Sequence, residues 1–324
     1  MNTVPRAIPP LHLRLPATSA NLGPGFDTAA VALNLHLEVM ATSDDTFSVA
    51  ARGRDAEACG KTDGNLILDS YQRILTDCGR SIQPLHLEVS NEIPLGMGCG
   101  SSAAARLAGI ALAVHFGGLG WPENEVLAAA TYLEGHPDNA TACWMGGMTV
   151  AMVCPQRGRD GVRQNAFPRV HPARIDVPAH WRAVMVLPGA PMQTEESRRV
   201  LPEHYGRADV VENLQHCGLL VAAFASGQSE LLRAAMHDTL HQPYRSSICP
   251  LFGKLLPLRR EPGVLGVALS GAGPGVLLIV ERNLSDESLH RAIGSLLGNA
   301  TDAEVVACGF CEEGARSALG KLLA

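Results

Sequence analysis

No stretch of this chain approaches the roughly 20 consecutive apolar residues needed to span a bilayer. The first ten residues lack a charged start leading into an apolar core, so a cytoplasmic location is expected rather than export. Runs of lysine and arginine are missing as well, and with 26 Lys+Arg against 32 Asp+Glu the formal net charge is -6. Neither nucleic acid nor an anionic membrane is therefore expected as the main partner, and small molecules are. Nine cysteines, an odd number scattered through the chain, do not read as a disulfide framework. Cys308-Gly309-Phe310-Cys311 has C-x-x-C spacing, but no second cysteine pair or histidine pair stands near it. Buried reduced thiols are the expectation there. No internal repeat or low-complexity tract is visible.

At 324 residues the chain has room for about two domains, each with a substantial core. Nothing demands an oligomer for stability, and a homodimer is left open. Leu11 to Leu15, Leu35 to Val39 and Leu85 to Val89 alternate apolar and polar side chains, as half-buried strands do. Leu66 to Leu75, Ser101 to His115 and Glu123 to Leu133 read as helices. The glycine-rich polar segment from Cys154 to Gly161 reads as a linker. We expect the domain boundary there, with one domain over 1–157 and the other over 158–324. Beyond it, strands are expected at Ala183 to Leu187, Val264 to Leu269 and Val276 to Val280, helices at Asp209 to Ala225 and Glu230 to His237, and a final strand and helix. Strands and helices in this mixed order point to an α+β fold.

The most informative segment is Pro94-Leu95-Gly96-Met97-Gly98-Cys99-Gly100-Ser101-Ser102-Ala103-Ala104, which lies between an expected strand and an expected helix. Three glycines in five residues let the backbone bend through φ > 0 and approach a ligand closely. The helix start that follows presents unpaired N–H groups at the positive end of its dipole, and the whole reads as a phosphate cradle. It is neither a Walker A loop, which needs a lysine and a hydroxyl after its second glycine, nor the G-x-G-x-x-G dinucleotide fingerprint. Gly60-Lys61-Thr62 lacks the earlier glycine of a Walker loop and reads as a surface turn.

Three more segments are dense in small and polar residues. Pro16-Ala17-Thr18-Ser19-Ala20-Asn21-Leu22-Gly23-Pro24-Gly25-Phe26-Asp27 follows the first strand and reads as a loop, for which a tight turn is sufficient explanation. Glu134-Gly135-His136-Pro137-Asp138-Asn139 ends a helix; its spacing fits no common zinc pattern, and a hard-oxygen Mg²⁺ site suits it better. Ser270-Gly271-Ala272-Gly273-Pro274-Gly275 separates two strands, where a β-turn would also serve. Arg198 and Arg245 are candidate forks for a carboxylate, with solvated surface arginines as the plainer reading.

Taken together and in order, these segments resemble the GHMP kinases (galactokinase, homoserine kinase, mevalonate kinase and phosphomevalonate kinase), and most closely their homoserine kinase form. The similarity runs from Leu15 to Gly275. It implies a ribosomal-protein-S5-like amino-terminal domain that binds ATP and a ferredoxin-like α/β sandwich at the carboxyl terminus. It further implies ATP-dependent phosphorylation of the side-chain hydroxyl of L-homoserine, on the way to threonine. On this resemblance the glycine loop from Pro94 to Ala104 holds ATP, Asn65 contacts its base, and Ser102 and Glu134 ligate Mg²⁺. The same resemblance gives the substrate to Asn21, Asp27, His136, Asp138, Thr194, Arg198 and Arg245, with Asn139, Asp138 and Arg198 at the reacting end. For Asn65, helix capping is the alternative. Met97 and Cys99 depart from the residues usual in the family loop, so altered loop packing is expected. Two other readings stay open at this stage: another small-molecule GHMP kinase with a mevalonate-like or sugar substrate, and a non-catalytic nucleotide-binding regulator.

Overall fold

A computed structural model describes residues 8–154, 167–192, 194–298 and 302–316. The chain opens with β1 (Leu11–Asn21) and β2 (Gly25–Ser43), paired antiparallel along nearly their whole length. Leu11, Leu13 and Leu15 are buried while His12 and Arg14 between them are exposed, the period-2 pattern of a sheet with one face on a core. There follow β3 (Ser48–Gly53), α1 (Ala56–Cys59), α2 (Leu66–Asp77), β4 (Leu85–Asn91), α3 (Ser101–Phe116), α4 (Glu123–Glu134), α5 (Asp138–Met145), β5 (Met148–Cys154) and β6 (Arg169–Ile175). The sheet runs β3-β4-β2-β5-β6, and β1 takes the remaining edge of β2. Against it pack α2 and α3, where Tyr71, Ile74, Leu107, Ile110 and Leu112 are fully buried.

The second sheet has the order β10-β7-β9-β8. Its elements are β7 (Trp181–Leu187), α6 (Thr194–Arg199), α7 (Arg207–Ser226), α8 (Ser229–Ala235), α9 (Gln242–Arg245), α10 (Pro250–Leu255), a 3₁₀ turn (Leu256–Arg260), β8 (Val264–Leu269), β9 (Val276–Glu281), α11 (Asp286–Leu297) and β10 (Glu304–Val306). Val184, Val186, Leu278 and Val280 point to one side, against Phe252, Leu255, Leu289 and Ile293. Ala183, Met185, Leu277 and Ile279 point to the other and join the main core with Trp181 and Phe224. Both faces are covered, which is why β8 and β9 read as unbroken apolar runs. No helix among the described residues is long and apolar enough to cross a membrane.

The strand expected at Leu35 to Val39 is the middle of the 19-residue β2. The segment Pro16 to Asp27, expected as a loop, is mostly sheet: Ala17 to Ala20 pair with Leu33 to Ala30, and only Leu22, Gly23 and Pro24 turn. Small side chains there serve a crowded sheet as readily as a turn. Helix α5 was hidden because Pro137 ends one helix pattern while the next begins on Asp138. β3, β5 and β6 are strands beyond those expected from the sequence. Cys154, where the linker is expected to start, is the last residue of β5; the rest of that segment and the expected boundary at 157/158 lie outside the described residues. Lys61 and Thr62 are exposed, in keeping with a surface turn. Cys308 and Cys311 are buried and free, and burial pushes the Cys308 thiol up to about 12.

Candidate active site

Between β4 and α3 the chain passes through Gly96, Gly98 and Gly100, all at positive φ (68, 76 and 68°). At Gly98 the requirement for glycine is steric as well as conformational, since an added Cβ would sit 2.1 Å from the Ser270 carbonyl oxygen. The same two segments are tied by the Ser270 hydroxyl, which donates to the Gly98 carbonyl at 2.7 Å. From the other side Thr18 N–H donates to the Cys99 carbonyl at 3.0 Å. Gly100 then caps α3 in the left-handed conformation, and Ser101 and Ser102 of the first turn line the cavity, at the end of the helix where backbone N–H groups lack intrahelical partners. Cys99 is buried, its thiol pushed up to about 12, so it acts as apolar filling beneath the loop.

The junction of α4 and α5 delivers the acidic side of the site. Glu134 is the last residue of α4, Gly135 closes that helix at φ 83°, and Asp138 is the first residue of α5. Ser102 Oγ donates to Glu134 Oε1 at 2.7 Å, and Arg106 Nε lies 2.9 Å from the same oxygen. Arg106 stands one helical turn beyond Ser102, so both point from one face of α3. Asp138 is buried; its Oδ1 accepts from Asn139 N–H at 2.7 Å and lies 2.6 Å from His136 Nδ1. Burial alone would lower the His136 pKa, but the hydrogen bond and negative charge of Asp138 outweigh it and raise the value above 6.5. Thr18 Oγ1 donates to Asn139 Oδ1 at 2.6 Å, which leaves the Asn139 amide N–H groups aimed elsewhere.

Two arginines come from the other half of the chain. Arg198, on α6, closes on Asp27 through both terminal nitrogens, at 2.7 and 3.1 Å. Burial works against the Arg198 cation, and Asp27 more than restores it. Arg245, on α9, is 1% exposed. Its Nε donates to the Ser197 carbonyl and Nη1 to the Gly271 carbonyl, at 3.3 and 3.2 Å. Burial and then the neighbouring Arg198 charge lower its pKa. Both guanidiniums lie over the ring of Phe26, at 5.7 and 5.2 Å from its centre, so the aromatic π-system sits next to both cations.

All of this surrounds one cavity of about 940 Å³. Asn21, Asp27, Asn65, Leu95, Gly96, Gly98, Cys99, Gly100, Ser101, Ser102, Glu134, His136, Asp138, Asn139, Arg198 and Arg245 line it, as do Gly271 to Gly273. Pro94, Met97, Ala103 and Ala104 do not; the two alanines are buried under the helix start. Thr194 begins α6, and its side chain lies outside the described residues. The Asn21 amide bridges Gly271 O and Asp27 N–H, and so joins the β1–β2 turn to the carboxy-terminal glycine loop. Asn65 caps α2 by accepting from Ile67 and Leu68 N–H and donating to the Cys59 and Lys61 carbonyls, so its amide is occupied in holding the cavity wall. Thr18, Phe26 and Arg106 went unassigned in the sequence. The first two stood inside a quoted motif, and Arg106 was signalled only by its i+4 spacing from Ser102.

A glycine cradle at a helix start, shared between two sheets and closed by a second glycine loop, defines the class: this is a GHMP kinase. Models of the GHMP kinases N terminal domain and the GHMP kinases C terminal match residues 65–147 and 220–299. The homoserine kinase of Solibacter usitatus is 38% identical over 94% of this chain and 95% of its own, and that of Deinococcus radiodurans 34% identical over 95% and 98%. The crystal structure of homoserine kinase from Cytophaga hutchinsonii superposes with a TM-score of 0.73 at 25% identity, covering 96% of this chain and 99% of that one. Lactococcus lactis galactokinase, at 14% identity and a TM-score of 0.62, shares the fold. Within that class the chain belongs to the homoserine kinase family.

Proposed function

We propose that this protein transfers the γ-phosphoryl group of ATP to the side-chain hydroxyl of L-homoserine, forming O-phospho-L-homoserine. The observation that carries the reading is that the glycine cradle, Asp27 and Asp138 line the same cavity as Arg198 and Arg245 of the other half. An amino acid offers a carboxylate, an ammonium and, here, a hydroxyl. Arg245 and Arg198 supply positive charge for the first, Asp27 and Asp138 negative charge for the second, and Asn139 with His136 polar contacts for the third. The cradle N–H groups take the triphosphate. Mg²⁺ fits the donor set, because one carboxylate (Glu134) and one hydroxyl (Ser102) suit a small hard cation that keeps most of its waters. When bound, it would neutralise charge on the β- and γ-phosphates.

Phosphoryl transfer passes through a loose, charge-rich transition state, so positioning and charge neutralisation carry most of the catalysis. Thr18 orients Asn139, and Asp138 orients His136, so the groups around the acceptor hydroxyl are set before substrate arrives. The division into an ATP-binding unit over 1–157 and a carboxy-terminal unit over 158–324, and a cytoplasmic location, belong to the same reading. Measuring ADP release with homoserine, mevalonate and galactose tests it. Homoserine-dependent release is expected. Release with one of the others instead would mark a different small-molecule kinase, and ATP binding without turnover would mark a regulator.

A further inference from the structure

Outside the cavity, Glu212, His216 and His237 form a separate cluster in which one ligand atom of each lies within 4.8 Å of the others. Glu212 and His216 are four residues apart on α7 and share a face. His237 follows α8, which packs on α7. His216 Nδ1 lies 3.1 Å from the Ala234 carbonyl and donates to it, which in the neutral imidazole leaves the lone pair on Nε2. A backbone carbonyl holding the far nitrogen is the usual support of a metal-ligating histidine. His237 Nε2 and Glu212 Oε1 are 3.6 Å apart. Two bonds of about 2.0–2.2 Å at a tetrahedral angle would hold such atoms about 3.3 Å apart. The two imidazoles lie edge to face with centres 5.1 Å apart.

We propose that Glu212, His216 and His237 bind a divalent transition-metal ion, Zn²⁺ foremost, with water completing the coordination. Two imidazoles and one carboxylate are softer than the oxygen set Mg²⁺ prefers, so this site and the Glu134–Ser102 pair take different ions. The ion would clamp the corner between α7 and α8. His237 precedes Asp238, whose carboxylate accepts the N–H groups of Leu240, His241 and Gln242 at 3.0, 3.0 and 2.6 Å and so builds the start of the helix that carries Arg245. Thr239 ties the same corner to the Asp209 carbonyl on α7. An exposed histidine–glutamate pair without metal would add little to stability.

Equilibrium dialysis with Zn²⁺ in Mg²⁺-containing buffer tests the site on the full chain without reference to catalysis. The intact protein is expected to bind one Zn²⁺ more than His216→Ala or His237→Ala, and its Tm to rise with zinc while theirs does not. Loss of one imidazole should weaken the site by more than the roughly 10- to 100-fold that loss of an outer-shell partner costs. Equal zinc binding and equal zinc-induced Tm shifts in all three proteins would overturn the proposal. Should a variant fold poorly, NMR of the histidine ring nitrogens in the intact protein decides instead. Zinc should shift the signals of His216 and His237, and zinc binding that leaves both unmoved would overturn the proposal.

Discussion

Arg198 grips Asp27 with both ends of its fork, at 2.7 and 3.1 Å, across 171 residues of sequence. The pair spans the two halves of the chain at the cavity wall, and with side chains 39% and 34% exposed it contributes under about 1 kcal/mol to stability. Its effect should fall on the ligand. Arg198→Ala removes a contact present in ground and transition states alike, so KM for homoserine should rise by about 10- to 100-fold, as loss of a charged hydrogen bond implies, with kcat moved far less. Asp27→Asn should be non-additive with it. Steady-state kinetics of the two single variants and the double variant check this, and an unchanged KM would remove Arg198 from the substrate site.

Gly98 and Gly79 have similar positive φ values, 76 and 63°, but opposite surroundings. Nothing lies within 4 Å of a Cβ on Gly79, so Gly79→Ala should cost only the left-handed strain of about 1–2 kcal/mol. In Gly98→Ala the methyl group meets backbone at 2.1 Å, so the loop must move. At least twice the destabilisation is expected in urea unfolding, together with loss of nucleotide binding by calorimetry. Equal costs at the two positions would show that the close approach to Ser270 is not what requires glycine.

Glu134 is held by Ser102 and Arg106 on one oxygen, in a side chain 8% exposed. Glu134→Ala and Ser102→Ala should lower kcat and raise the Mg²⁺ concentration needed for half-maximal rate, the first more than the second. Arg106→Met leaves a nearly buried carboxylate short of a partner and should cost about 1–3 kcal/mol of stability. Titration of activity with Mg²⁺ is the check; normal turnover and Mg²⁺ demand in Glu134→Ala would show the metal ligands lie elsewhere.

His136 has a folded-state pKa raised above 6.5, against burial, by Asp138. Its charged form therefore contributes stability that is complete below 6.5 and is lost as pH rises through the folded value. The unfolding free-energy difference between the intact protein and His136→Asn should be largest near about pH 6 and shrink toward about pH 9. Buried His241 is shifted the opposite way, chiefly by burial, and cancels in that difference. Urea unfolding across the pH range measures it, and a difference that grows with pH would reverse the assignment.

The cradle was legible before any fold was known, because glycines at 96, 98 and 100 followed by Ser101 and Ser102 encode a local backbone shape. The partners of that cradle were not. Thr18 meets Asn139 across 121 residues and Ser270 meets Gly98 across 172, and neither pairing leaves a trace in local periodicity. Phe26 is illegible for a different reason: its place beside two arginines depends on α6 and α9 reaching the β1–β2 turn.

By itself the order of residues determined where the glycine loop bends, where α3 and α4 run, and which four polar segments stand out from the rest, since these depend on neighbours a few positions apart. It did not determine that Asn65 spends its amide on capping α2, that Arg198 is already closed on Asp27, or that Arg245 is buried against the Ser197 and Gly271 carbonyls. Those were decided by the tertiary fold, which brings groups from both halves of the chain to one cavity of low dielectric, where each must find a partner.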